Sequence, residues 1–146
     1  MRNEAKSWVV GLLVTVALLA GVFTLADEQA DKAAALDAAN KWLALVDDGK
    51  YAASWDEAAP YFKDSVDSDK WGKMLKVTRG PLGKLTSRKL ESSTSRTSLP
   101  GAPDGQYLVI QYQSSFENMK SAVEMVVSML TKSGQWKVSG YYIKAR

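Results

Sequence analysis

The sequence predicts an α+β domain: a long amphipathic helix and short helices packed on a curved, four-stranded antiparallel sheet. Three observations lead there. Apolar residues recur with helical period between Asp27 and Asp48, and of four runs after Gly83 the last three alternate with the two-residue period of strands. The connections between those runs are short, which favours antiparallel neighbours.

In the first helix, Ala35, Ala39, Trp42 and Val46 fall on one stripe, with Leu36 and Leu43 at its border. Asp37, Asn40, Lys41, Asp47 and Asp48 lie opposite, and Gly49 supplies the stop. Ser54 and Glu57 then have capping-box spacing, and Pro60 either opens a new helical turn or kinks the existing one. A third helix begins near Asp67–Asp69, sets Trp71, Met74, Leu75 and Thr78 on one side, and ends by Gly80-Pro81.

Lys84–Leu99 is rich in Ser, Thr, Arg and Lys, as an exposed or edge strand is. In Gln106–Phe116 the apolar face holds Leu108, Ile110, Tyr112 and Phe116; in Ser121–Thr131 it holds Val123, Met125, Val127 and Met129. In Gln135–Lys144, Trp136, Val138 and Tyr142 share a face, with Gly140 placed for a bulge. Pro100–Gly105 reads as a rigid hairpin connection: its prolines cannot donate to a ladder, and Asp104-Gly105 has turn chemistry.

The first 26 residues stand apart from this domain. Arg2 and Lys6 precede a charge-free run from Trp8 to Ala26, and the chain then turns sharply polar. That order is an export signal, with cleavage before Asp27, or an uncleaved span over residues 8–26. Both versions place a single domain, residues 27–146, across the membrane: periplasmic or secreted in one case, anchored to the inner membrane in the other.

Neither cysteine nor histidine occurs. Their lack removes thiolate nucleophiles, Cys/His zinc sites, Ser–His–Asp triads and imidazole acid–base steps. No cofactor, metal or catalytic residue is expected. Charge is segregated: Asp27–Asp69 carries 11 acids and 4 bases, and Lys70–Arg146 carries 4 acids and 13 bases. The plainer reading is mutual attraction of the two parts on folding. The sharper one is a basic face that meets anionic lipid, glycan or nucleic acid; an interaction domain for another envelope protein would use the sheet's basic face or edge around Arg88, Lys89 and Arg96. Nucleic acid is not an expected partner, because no arginine-rich run or interleaved aromatic stripe accompanies the charge.

Other candidate motifs reduce to ordinary structure. Asp67, Asp69 and Gly72 begin like a calcium loop, yet Trp71 and Thr78 stand where oxygen ligands are needed, so helix capping is the better account. Gly80–Gly83 and Gly101–Gly105 fit no phosphate-binding pattern. The aromatic residues carry the remaining functional signal. Trp42, Trp55, Trp71, Tyr112, Trp136 and Tyr142 are the candidate lining of a pocket for a small apolar ligand.

The words A-A-N-K-W-L-A-L-V-D-D-G-K-Y-A-A-S-W, R-G-P-L-G, L-P-G-A-P-D-G-Q-Y and G-Q-W-K-V-S-G-Y-Y-I occur in that order between Ala38 and Ile143. In them the chain resembles an uncharacterised bacterial family, the domain of unknown function numbered 4019, a small exported domain. The resemblance implies no activity and gives no residue a catalytic role. More loosely, the long helix, bent sheet and closing G-x-W-K-V strand resemble the cone-shaped scaffold of nuclear transport factor 2-like and cystatin-like domains. The expectation is therefore a non-enzymatic binding module with an aromatic-lined interior. The alternatives are an interaction domain using the basic face and, last, an isomerase-like enzyme with a carboxylate in a buried pocket.

Overall fold

The computed structural model describes residues 14–146, with side chains from residue 25 onward. The basic start of the expected export signal, Arg2 and Lys6, and its first apolar residues lie outside the described residues. The chain divides into a first unit that ends at Asp31 and a second that spans Lys32–Arg146. Helix α1 (Val14–Asp47) runs unbroken through Ala26-Asp27. Among the described residues no helix is long and apolar enough to cross a membrane.

In the second unit, α1 ends where Gly49 adopts φ of 73°, and the Gly49 and Lys50 N–H groups close onto the carbonyls of Val46 and Leu45. Helix α2 (Tyr51–Glu57) starts three residues before the capping box that the sequence suggests. Ser54 is instead mid-helix and fully buried, donating to the Tyr51 carbonyl. Two indoles claim it from outside: Trp42 Nε1–H donates to its carbonyl at 2.7 Å and Trp71 Nε1–H to its hydroxyl at 3.0 Å. A buried serine thus serves tryptophan donors rather than the helix end. Helix α3 (Pro60–Ser65) begins at Pro60, whose missing N–H costs nothing in a first turn. Helix α4 (Ser68–Thr78) is capped by Asp67, whose carboxylate accepts from Lys70 N–H at 2.8 Å.

After a 3₁₀ turn (Gly80–Leu82) the chain enters the sheet at Gly83, which has φ of 73° and ψ of −160°. A Cβ there would stand 2.6 Å from Glu117 Oε2. Gly83→Ala is therefore expected to lower stability by about 1–3 kcal/mol, read as a lower urea midpoint, because only glycine adopts this backbone without strain.

Strands β1 (Leu85–Arg96), β2 (Tyr107–Phe116), β3 (Met119–Leu130) and β4 (Trp136–Ala145) form a partly curled antiparallel sheet in sequence order. The β1–β2 link is held at its turn: Gly105 N–H donates to Thr97, Tyr61 Oη–H to Gly101 at 2.8 Å, and Tyr107 Oη–H to Pro103. In β2, Leu108, Ile110, Tyr112 and Phe116 face inward as expected.

Strands β3 and β4 correct the expected faces. The inward set of β3 is Ala122, Glu124, Val126 and Ser128, paired with the inward residues of β2; Met125 and Val127 lie on the other face, in line with Gln111 and Val109. In β4 a register shift opposite Val127 and Ser128 inserts Ser139, and one inserted residue exchanges the faces beyond it. Trp136 and Val138 face the helices before the bulge, and Tyr141 does so after it. Tyr142 points outward and is 58% exposed.

Helix α1 is fixed on the inner face by Ala35, Ala39, Trp42, Leu43 and Val46. Two polar ties set its height: Ser128 Oγ–H donates to the Ala35 carbonyl at 3.0 Å and Tyr112 Oη–H to Asn40 Oδ1 at 2.7 Å.

Candidate functional site

The aromatic residues are packed against one another. Trp71 meets Phe62 edge-on at 4.8 Å between ring centroids, and Trp42 lies 5.9 Å from Trp71 and 5.5 Å from Tyr141. Such tilted contacts suit the ring quadrupoles and fill the interior. Of the six candidate pocket residues, Trp42, Trp71 and Tyr112 are therefore core, and Trp55 packs at its margin with its indole N–H on the Val66 carbonyl. Tyr142 belongs to a separate cleft of about 280 Å³ on the opposite sheet face.

Open space accessible to a ligand lies beside the core. A cleft of about 660 Å³ runs between α1 and the start of β4, with Ala34, Ala38, Trp42 and Leu45 on one wall and Trp136 and Val138 on the other. Two of the aromatic residues singled out in the sequence, Trp42 and Trp136, come together here. Asp37 and Lys41 pair at 2.8 Å on its exposed rim. The Trp136 indole N–H is shielded from solvent and finds no acceptor among the described residues.

Beneath α1 the structure also brings together four charges. Glu124 is 0% exposed, and Arg88 joins it to Asp47: Nε donates to Glu124 at 2.8 Å, while the two terminal nitrogens grip Asp47 at 2.7 and 2.9 Å. Arg79 adds a 2.7 Å bond to Asp47 and a 3.2 Å bond to Tyr141 Oη. Ser114 and Tyr141 each donate to Glu124 at 2.5 Å. Two guanidiniums and two carboxylates cancel, and bidentate hydrogen-bonded geometry is what makes a buried ion pair tolerable. Arg79 also lies over the Phe116 ring at 4.7 Å.

Segregated charge is here put to use, because Asp47 comes from the acidic first part and both arginines from the basic second part. Arg88 is consequently not part of an exposed basic face; of the three residues expected there, only Lys89 and Arg96 are exposed. A buried carboxylate beside a tyrosine is also the arrangement an isomerase-like base requires. Donors from Ser114, Arg88 and Tyr141 close around Glu124, which leaves a substrate no approach.

Burial alone would raise the Asp47 pKa, but hydrogen bonds and charge from Arg88 and Arg79 outweigh it and hold the carboxyl below its ordinary 3.8. Burial likewise pushes the Tyr141 hydroxyl far above its usual value, and nearby Glu124 adds to the effect. A depressed carboxyl contributes stability that is full above its unfolded pKa and lost as pH falls through the folded one. The Asp47 contribution is thus expected to be constant above about pH 4 and to shrink progressively as pH falls below it toward the folded value. Asp47→Asn, followed by urea unfolding at pH 3 and pH 6, is expected to cost less at the lower pH than at the higher. Equal losses at both would contradict this.

The residues missed from sequence are Asp47, Arg79, Ser114, Glu124 and Tyr141 of the network, and Ala34, Ala38 and Leu45 of the cleft. A signal existed for one of them: Glu124 is a lone acid inside the apolar run Ala122–Val127.

Long helix, short helices and a sequential four-stranded antiparallel sheet define a small α+β domain with a side cleft and a buried ion network. The chain belongs to the family described as protein of unknown function (DUF4019), whose model matches residues 38–141. No curated protein and no solved structure matches it significantly.

Proposed function

We propose that this is an exported, non-enzymatic binding module whose ligand site is the cleft between α1 and β4. The observation that carries the reading is the meeting of Trp42 and Trp136 around about 660 Å³ of open space, beside the packed aromatic core. Apolar and aromatic lining with a few polar rim groups is the usual character of small-molecule sites. The ligand class it suits is small and apolar. Export rests on Arg2 and Lys6 before a charge-free run. The intact mass of the chain from an envelope fraction is expected to match a start at Asp27, whereas a full-length mass in the cytosol would oppose export.

Titration with 8-anilinonaphthalene-1-sulfonate tests the cleft. Saturable binding is expected, and Ala38→Phe, which fills the cleft from a half-buried position, should weaken it at least tenfold. Its stability should change by only about 0.5 kcal/mol, as at other sites outside the core. Unchanged binding in Ala38→Phe would sink the assignment.

A further inference from the structure

The cleft lies along the free edge of β4, an outer strand of the sheet. The Val138 carbonyl points away from β3, because it accepts from Ala59 N–H at 2.8 Å. Main-chain groups of an antiparallel strand alternate in direction with period two. Trp136 and Val138 pair with Leu130 and Ser128 without a register shift between them. The N–H and C=O of Trp136 and the N–H of Val138 therefore share that outward direction, along the cleft.

We propose that the occupant of the cleft is an extended peptide segment that adds to β4 as a fifth strand. This rests on reading the cleft as the ligand site. The protein already makes the first rung, since the link between α2 and α3 pairs with the edge at Val138. The cleft continues that line toward Gly134, where an added Cβ would meet nothing within 4 Å. The helix wall from Ala34 to Leu45 covers ~16 Å; opposite it the strand wall, Trp136 to Val138, covers ~7 Å and is prolonged by the turn residues Gly134 and Gln135. A segment of about five extended residues spans the helix wall, with its central residues opposite Trp136–Val138.

The chemistry favours a backbone over a compact ligand. A rigid apolar molecule fills the space but offers nothing to the outward N–H and C=O of Trp136 and N–H of Val138, whereas a strand pairs them. Alternate side chains of the added strand then face the indoles and the small Ala38 side chain, and the others face water. Strand addition draws affinity from main-chain bonds and selectivity from such alternate pockets.

The probe is the acetylated, amidated pentapeptide Val-Ser-Val-Ser-Val, titrated into the ¹⁵N-labelled full chain. Two further versions carry N-methyl groups on alternate amides, one on the valines and one on the serines. Amide shifts are expected at Trp136 and Val138. One methylation pattern should weaken binding at least tenfold and the other should be tolerated, because only every second amide faces the edge. Equal binding of all three peptides would overturn strand addition while leaving the cleft as an apolar site. Absence of peptide binding at up to millimolar concentration, with the naphthalene probe still bound, would overturn it in the same way. Loss of both probes would remove the cleft assignment as well, and shifts confined to Lys89 and Arg96 would move the docking edge to β1 and so contradict the proposal.

Discussion

Glu124→Ala is expected to lower the unfolding free energy by about 3–5 kcal/mol, because it leaves two buried guanidiniums sharing the single carboxylate of Asp47. The side chains of Arg79 and Arg88 are 4% and 13% exposed, so water cannot take over the role of the carboxylate. Truncation also strips the acceptor from Ser114 and Tyr141, two donors that end with nowhere to go. Glu124→Gln keeps the shape but removes the charge, and a smaller loss is expected. Urea midpoints read both. A loss below about 1 kcal/mol for Glu124→Ala would mean that the network relaxes into solvent and does not behave as a closed buried cluster.

Trp71→Ala is expected to lose about 3–5 kcal/mol, the range for removing a large aromatic side chain from a packed core. Trp71 is 4% exposed and stands between Phe62, Trp42 and Tyr141. Its hydrogen bond matters less than its volume: once the indole is gone, Ser54 Oγ–H still donates to Tyr51 and only an acceptor is left unused. Since Trp71 does not line the cleft, binding of the naphthalene probe should survive at concentrations of denaturant where the variant remains folded. A stable variant that has lost binding would show that core and cleft are not separable in the way described.

Period and punctuation made much of this fold legible in advance. The α1 stripe is set by large residues at helical spacing, Gly49 and Pro60 mark turns in the two ways their backbones dictate, and Asp67 caps as a short acid before a helix does. Strand faces were harder, because a period-two pattern says that residues alternate but not which set faces inward. In β3 both sets contain apolar residues, and the inward one includes Glu124 and Ser128. Only the arginines arriving from α4 and β1 make Glu124 acceptable inside, and that is a tertiary fact. In β4 the bulge at Ser139 exchanged the faces, so Tyr141 took the buried place that the alternation assigned to Tyr142. Ser54 failed as a cap for a related reason: two distant indoles made it more useful within the core. The cleft was the least legible feature, since small residues such as Ala34 and Ala38 leave no pattern until β4 is set opposite them.

The most direct test of the binding assignment is the behaviour of the tryptophan indole N–H signals of the full chain during titration with 8-anilinonaphthalene-1-sulfonate. The signals of Trp42 and Trp136, which line the cleft, should move together and saturate, while those of Trp55 and Trp71, which do not line it, stay in place. Movement of Trp55 and Trp71 with Trp42 and Trp136 unchanged, or no movement at any indole, would contradict a ligand site between α1 and β4.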